Sequence, residues 1–236
     1  SNGLEFGGDF LNWGYTPQHS IIRGLEIRNF PGAGISIKSN SNVIQQCWIH
    51  NNGADGISIN DGNGNIVGNI LGGTSLLDGN KINANGANGI TVTKVSALVP
   101  PSGNSVLGNV INSNAGMCID LGGDGVTPNK YPGGPTTPLI RPAQADFVNF
   151  RVNYPTINVA TAGDTAVSRI EGYLLSWPST AFHVEVFLTD SSESTGHGEG
   201  KTFLGSTDVV TDADSAYAWF TINSNTPLHL GQFVTA

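Results

Sequence analysis

The chain has 236 residues, of which 12% are charged and 32 are glycine, and 25 of the remainder are asparagine. Charged residues thus occur at about half the usual share of roughly 25%, and glycine at about twice its average. The net charge of −8 argues against a nucleic-acid-binding protein, which needs a basic surface, and no apolar run is long enough to span a membrane. The composition predicts a turn-rich, all-β protein.

The first half of the chain repeats with a period near 22 residues. Short β-branched segments separated by Gly and Asn form the copies, which lie at 20–37, 42–59, 76–92 and 106–119, with the tail of a further copy at 3–6. No copy can bury its apolar face alone, so the copies must stack, about 4.8 Å apart. The repeat therefore predicts a parallel β-helix of about four to five rungs.

This alignment makes further predictions. Asn and Gly should occupy turns with positive φ, and the extra residues at 63–75 should leave one corner as a loop. Cys47 aligns with Leu25 and should face the core, whereas Cys118 aligns with Thr91 and should face outward. Because the two side chains lie on opposite sides of different walls, both thiols should be free.

The repeat ends at residue 119. Residues 120–152 are rich in Gly and Pro, which is typical of a junction. Alternating apolar and polar residues then predict an Ig-like antiparallel β-sandwich over 153–236. The predicted domains are therefore 1–119, 120–152 and 153–236. The six alternating runs lie at 154–160, 167–175, 182–189, 202–210, 217–223 and 228–235.

Three segments carry a family resemblance: 109–129 (NVINSNAGMCIDLGGDGVTPN), 153–160 (NYPTINVA) and 196–206 (GHGEGKTFLGS). They resemble consecutive signatures of large bacterial surface or secreted proteins, which have right-handed parallel β-helix repeats followed by a C-terminal Ig-like domain. Many of those proteins carry an N-terminal CSLREA motif, which is absent here. With the first residue not a methionine, we expect a fragment of a longer protein. The resemblance implies an extracellular or cell-surface location in a bacterium and no single chemistry.

Parallel β-helices host polysaccharide lyases and glycoside hydrolases, which need paired carboxylates, or calcium-binding acids beside a base. Equivalent residues of successive rungs form a column. The alignment places Asp55 in one column with Ala33, Asn88 and Ala115, and it places Asp78 in another column with Arg23 and Gln45. No column or neighbouring pair collects two acids. We therefore assign no catalytic residue from the sequence.

An outward stripe is the strongest candidate for a binding surface. Its two columns contain Glu26, Trp48 and Lys81, and Arg28, His50 and Asn83. A Trp on a flat β face, flanked by charged groups, is typical of sugar binding, where an apolar platform combines with directional hydrogen bonds. An ordinary solvated face with cross-strand ion pairs has the same pattern, so both interpretations stay open.

The start of the junction is a candidate calcium site. Asp120, Asp124 and Asn129 lie on a Gly-rich segment, and calcium binds carboxylate, amide and backbone oxygens. The spacing is not that of an EF-hand, and a metal-free turn that closes the β-helix explains the same residues. Structural calcium is the one cofactor that the sequence suggests.

Two functions follow. The first is a non-catalytic extracellular module of a bacterial surface, adhesive or filament-forming protein, which contacts glycans or joins neighbouring copies through exposed strand edges. The alternative is a polysaccharide-active enzyme, a lyase or glycoside hydrolase, or its carbohydrate-binding segment. That alternative depends on fold analogy and on the stripe around Trp48.

Overall fold

The computed structural model describes residues 1–7, 18–69, 77–95, 100–129, 148–161, 167–189 and 197–236. It contains two compact units. The first comprises Ser1–Val126 with Gln144–Arg151, and the second comprises Thr127–Ala143 with Val152–Ala236. Residues 130–147 of the predicted junction lie outside the described part of the chain.

The first unit is a parallel β-helix, as predicted. Three parallel sheets form its walls: sheet A (β1-β4-β7-β10-β13), sheet B (β2-β5-β8-β11) and sheet C (β3-β6-β9-β12). Each of four coils contributes one strand to each sheet, and β1 adds a fifth strand to sheet A. The strands are β1 (Leu4–Phe6), β2 (Ile21–Arg23), β3 (Glu26–Arg28), β4 (Ile35–Ile37), β5 (Val43–Gln45), β6 (Trp48–His50), β7 (Ile57–Asn60), β8 (Ile66–Gly68), β9 (Lys81–Asn83), β10 (Ile90–Thr93), β11 (Ser105–Leu107), β12 (Val110–Asn112) and β13 (Ile119–Leu121).

Isoleucine fills the interior of the β-helix because alternate residues of a strand point to opposite faces. Each inward side chain is covered by its equivalent in the next coil, and full burial of one such side chain stabilises the fold by about 1.5–3 kcal/mol. The coils are thus held together mainly by stacking. The stacked inward residues are Ile35, Ile57 and Ile90 in sheet A, Ile22, Ile44 and Val67 in sheet B, and Ile27, Ile49, Ile82 and Ile111 in sheet C.

Positive φ angles recur at equivalent corners of successive coils. Asn and Gly take some of these positions, as predicted, but Ser, Gln, Ala and His take others. Most asparagines therefore have a different role. The residues are His19, Ser41, Gly64 and Gly103 before sheet B, Gly24, Gln46 and Gly108 before sheet C, and Asn29, Asn51, Ala84 and Ser113 after sheet C.

Asparagine ladders follow these positions. In each ladder a side-chain Oδ1 accepts the backbone N–H of the equivalent residue one coil earlier, as in Asn52 to Asn85, at 3.2 Å. The Nδ2 group donates to a backbone carbonyl or to the next asparagine, so the corner is hydrogen-bonded without water. The ladders are Asn42, Asn65, Asn104 and Asn149 before sheet B, Asn80 and Asn109 before sheet C, and Asn52, Asn85 and Asn114 after sheet C.

The predicted alignment of the third coil is wrong. Its sheet B strand is β8, which lies inside the segment predicted as a loop at 63–75, and the extra residues come after that strand. Residues 70–76 lie outside the described part of the chain. Asp78 therefore does not share a strand column with Arg23 and Gln45. It lies at the next corner, where its carboxylate accepts hydrogen bonds from Arg23 and Gln46.

The predicted alignment of the fourth coil is wrong by two residues. Ile119 pairs with Ile90, and Asp120 pairs with Thr91, where Cys118 was expected. The same shift puts Met117, not Ala115, in the column of Asp55. This error hid the asparagine bridge between Asp55 and Asp120 that is described below.

A glycine column explains the true position of Cys118. Gly34, Gly56 and Gly89 are equivalent residues, and a Cβ at Gly56 would lie 2.4 Å from Ile82 Cγ2 in the next coil. Only glycine fits at this position when another coil packs against it. Cys118 occupies the equivalent position in the fourth coil, and no further coil packs against that coil in the described part of the chain.

Neither Cys47 nor Cys118 forms a disulfide, as predicted. Cys47 is 2% exposed, and burial raises the pKa of its thiol. Cys118 is half-buried and packs against the apolar core, so the predicted outward orientation is wrong. The cause is the two-residue shift in the fourth coil.

The second unit is an antiparallel β-sandwich, and each predicted run contains a strand. Sheet D has the order β14-β15-β18 and sheet E the order β17-β16-β19. Ile170 and Phe220 from sheet D share a core with Val184 and Leu204 from sheet E. The strands are β14 (Thr156–Ala160), β15 (Ser168–Leu175), β16 (Ala181–Thr189), β17 (Thr202–Val210), β18 (Tyr217–Ser224) and β19 (Phe233–Thr235).

The first unit contains a short 3-10 helix, Val148–Arg151. Val148 packs against the β-helix core, and the Asn149 side chain accepts the N–H of Asn104 at 3.0 Å. Within the described part of the chain, none of the helices is long and apolar enough to span a membrane.

We expect Asn52→Ala to destabilise the β-helix by about 2–4 kcal/mol, because unpaired buried polar groups cost about 1–3 kcal/mol each. The change removes the acceptor of the Phe30 N–H and the donor to the Ile27 carbonyl, both at 3.2 Å. Urea unfolding measures the loss. The matched control is the exposed neighbour Asn51→Gly, at φ 54°, which should change stability by less than about 0.5 kcal/mol. Equal losses in the two variants would contradict the role of the ladder.

Candidate functional site

The structure brings the six residues of the predicted stripe together on sheet C. Strands β3, β6 and β9 have three residues each, and the central isoleucine of each points inward, so the first and third residues face outward. The in-register columns are Glu26, Trp48 and Lys81, and Arg28, His50 and Asn83.

Three neighbours hold Trp48 in place. Its Nε1 donates to Asn83 Oδ1 at 2.8 Å, and its ring stacks on His50 with centroids 4.1 Å apart. Lys81 Nζ lies 4.9 Å from the ring centroid, a cation–π distance. The indole nevertheless remains 41% exposed. Trp48 is therefore an accessible aromatic surface in a fixed orientation.

Glu26 connects the charged members of the stripe. Its Oε1 lies 3.1 Å from Arg28 Nε and 3.0 Å from His50 Nε2, and the His50 side chain is buried. Exposed ion pairs contribute only about 0–1 kcal/mol to stability, so the main effect of these contacts is to orient the side chains.

The stripe has the components of a glycan-binding surface. The Trp48 ring offers an apolar platform, and the charged groups beside it can hydrogen-bond to hydroxyl or carboxylate groups. Arg28 and Lys81 outnumber Glu26, so this part of an acidic chain is locally positive. That charge favours an anionic ligand.

A second polar cluster lies on sheet A, and the sequence reasoning missed it. Asn88 Nδ2 donates to Asp120 Oδ2 at 3.2 Å, and the Asn88 backbone N–H donates to Asp55 Oδ1 at 3.0 Å. One asparagine thus bridges two carboxylates. The column alignment did not predict this bridge, because the fourth coil was misaligned by two residues.

The two carboxylates differ in environment. Burial raises the pKa of Asp55, and the neighbouring charge of Asp120 raises it further, against hydrogen bonds from Asn88 and Thr91 that lower it. Asp120 is 3% exposed and accepts backbone N–H groups of Gly123 at 3.0 Å and Gly125 at 3.1 Å. Asp120 therefore closes the turn that follows the last coil.

The predicted calcium ligands are already engaged in hydrogen bonds. Both Asp120 oxygens accept N–H groups, and Asn129 exchanges two hydrogen bonds with the backbone of Tyr154. Asp120 and Asp124 belong to the first unit, and Asn129 belongs to the second. No group of three or more His, Cys, Asp or Glu side chains suited to a metal occurs among the described residues. Calcium binding stays a prediction.

We expect Asp55→Asn to raise Tm at pH 7, because the amide oxygen still accepts the Asn88 N–H but carries no charge. The folded-state pKa of Asp55 is above its ordinary value of 3.8, so ionisation destabilises the folded state as pH rises through that folded-state pKa. The gain should shrink as pH falls toward 3.8. Thermal unfolding between pH 4 and pH 8 measures it.

The matched variant is Asp55→Ala, which leaves the Asn88 N–H without its acceptor. It should lose about 1–3 kcal/mol near pH 4 and less at pH 7, where the wild type itself is destabilised by the ionised carboxylate. A lower Tm for Asp55→Asn at pH 7 would contradict the assignment.

Comparison with known proteins gives one match. The model of a family described as a protein of unknown function, DUF1565, matches residues 8–138, which is more than half of the chain. Neither the curated proteins nor the solved structures contain a match. The family is one of β-helix-like repeat domains, which agrees with the fold of the first unit. The chain belongs to the DUF1565 family.

Proposed function

We propose that the chain is a non-catalytic extracellular module of a bacterial surface, adhesive or filament-forming protein, and that it contacts glycans through the stripe on sheet C. Membership of a β-helix-like repeat family and the low content of charged residues support a structural module. The resemblance of 109–129 and 153–160 to bacterial surface proteins supports the extracellular location.

The environment of Trp48 carries the proposal. A ring that needs no rearrangement before it binds loses little conformational entropy on contact with a ligand. Asn83, His50 and Lys81 restrict the indole while leaving much of it exposed. An exposed Trp on an ordinary solvated face needs no such set of contacts.

The charge of the stripe suggests the ligand class. Arg28 and Lys81 can pair with the carboxylates of uronic acids, while Trp48 packs against a sugar ring. Glu26 already accepts hydrogen bonds from its neighbours, so it repels an anionic ligand less than a free carboxylate would. Polysaccharides that contain uronic acids are therefore the favoured ligands.

A polysaccharide-active enzyme is the second candidate, and the Asp55–Asp120 pair favours it. A carboxyl with a raised pKa beside an ionised one is the pattern of a general acid and its partner. The pair ranks second because three N–H groups already occupy Asp120. Those hydrogen bonds already give Asp120 a structural role in the turn after the last coil.

Affinity electrophoresis in gels that contain polygalacturonate or alginate tests the proposed function. Wild-type chain should be retarded at low salt, and Trp48→Ala should weaken binding by at least about tenfold, or about 1.4 kcal/mol. The matched control is Ile21→Ala, an exposed side chain on sheet B, which should bind like wild type. Unchanged binding by Trp48→Ala, or no binding to any anionic glycan, would contradict the proposal.

Activity on the same polymers separates the two candidates. We expect no release of unsaturated or reducing-end products from uronic-acid or neutral polysaccharides. Turnover that is lost in both Asp55→Asn and Asp120→Asn, with unfolding curves showing that each variant is folded, would establish the enzyme instead. Asp78→Asn is the control for loss of an acid elsewhere on the β-helix.

A further inference from the structure

The outward face of sheet D carries three aromatic side chains, which we call the sheet D face: Tyr173 from β15, and Tyr217 and Trp219 from β18. Strand alternation places them there, because Ile170 on β15 and Phe220 on β18 point into the sandwich core.

The rings form one continuous surface. Tyr173 is directly opposite Trp219 in the antiparallel register, with ring centroids 5.2 Å apart. The Tyr173 and Tyr217 centroids are 5.4 Å apart, and both pairs are tilted by 54°. Trp219 is 68% exposed. A ligand on this face would therefore meet several aromatic rings at once.

Within the described residues, the polar atoms of these rings have no partner, because the indole N–H of Trp219 and the hydroxyl groups of Tyr173 and Tyr217 make no hydrogen bond to protein. Trp48 differs in this respect, because its indole N–H is bonded to Asn83. The sheet D face thus combines apolar ring surface with free hydrogen-bonding groups.

The charges beside the rings disfavour an anionic ligand. Arg169 and Glu171, the outward residues that precede Tyr173 on β15, form an ion pair with each other. The residues opposite them on β18 are Thr221 and Asn223, which are exposed and uncharged.

Two acids lie at the start of β18. Asp212 and Asp214 are exposed and precede Tyr217, and the Asp212 backbone N–H donates to the Tyr217 carbonyl at 2.9 Å. A neutral ligand rich in hydroxyl groups therefore matches this face better than an anion does.

We propose that the sheet D face is a second glycan-binding site, which takes neutral polysaccharides. Sugar rings present C–H groups on one side and hydroxyl groups at the edge. The C–H groups can pack against the rings of Trp219, Tyr173 and Tyr217, while the hydroxyl groups hydrogen-bond to the polar atoms of those rings. The inference shares with the proposed function only the class of ligand. Its residues lie in the other unit.

Affinity electrophoresis with neutral polymers (mixed-linkage β-glucan, xyloglucan and galactomannan) tests the inference. Wild-type chain should be retarded by at least one of them. Trp219→Ala should weaken that binding by at least about tenfold, and Trp219→Phe, which keeps a ring but loses the N–H, should have an intermediate effect. Added salt should change neutral-glycan binding little, because no charge pairing is involved.

Two controls and the choice of a neutral polymer separate this inference from the proposed function. Val210→Ala, an exposed change on sheet E, and Ile21→Ala, an exposed change on sheet B, should both leave neutral-glycan binding unchanged. Wild-type binding by Trp219→Ala, or no retardation by any neutral polymer, would overturn the inference while leaving the sheet C result intact. Sedimentation that shows self-association of wild type, abolished by Trp219→Ala, would also overturn it, because the face would then be an interface between copies.

Discussion

Three times in each coil of the β-helix the backbone leaves one sheet for the next, and its N–H and C=O groups lose their regular strand partners there. Asparagine side chains in neighbouring coils take up those groups. Asn85, for example, accepts the N–H of Asn52 and donates to the carbonyl of Ile49. The side-chain amides of a ladder connect successive coils at a corner. They fix the spacing of the coils there, just as the hydrogen bonds between strands fix it within the sheets. The inward isoleucines can therefore stack without gaps.

The sequence was sufficient for the period, the three-walled coil and the outward stripe, because alternation within a strand determines which face a side chain takes. It was insufficient for register wherever the coil length changed. In the fourth coil Gly116 was aligned with the glycine that recurs in earlier coils (Gly34, Gly56 and Gly89), although Cys118 is the equivalent residue. The ladder would have given the right answer: Asn85 precedes Gly89 by four residues, and Asn114 precedes Cys118 by the same number. The signal was present in the asparagines, which were interpreted only as turn residues.

The two aromatic surfaces illustrate different ways to present a Trp on a β face. Trp48 has its N–H bonded and its ring restricted by neighbours, so binding there would depend on the ring surface and on the cations beside it. Trp219 keeps its N–H free among other aromatic rings, so binding there would depend on stacking and hydrogen bonds together. The pattern of strands alone could not distinguish them, because the difference lies in side-chain contacts between strands that are distant in sequence.

The last of the described coils shows how the end of a stack brings two acids near one another. Asp120 occupies the column of Ser36, Ser58 and Thr91, but the chain turns immediately after it. Its carboxylate therefore receives the N–H groups of Gly123 and Gly125, which have no neighbouring strand to bond. The proximity of Asp55 follows from this closure, since Asn88 lies between them and bonds to both. A carboxylate that ends a stack is thus brought near another acid by the fold itself, through the one asparagine that bonds to both.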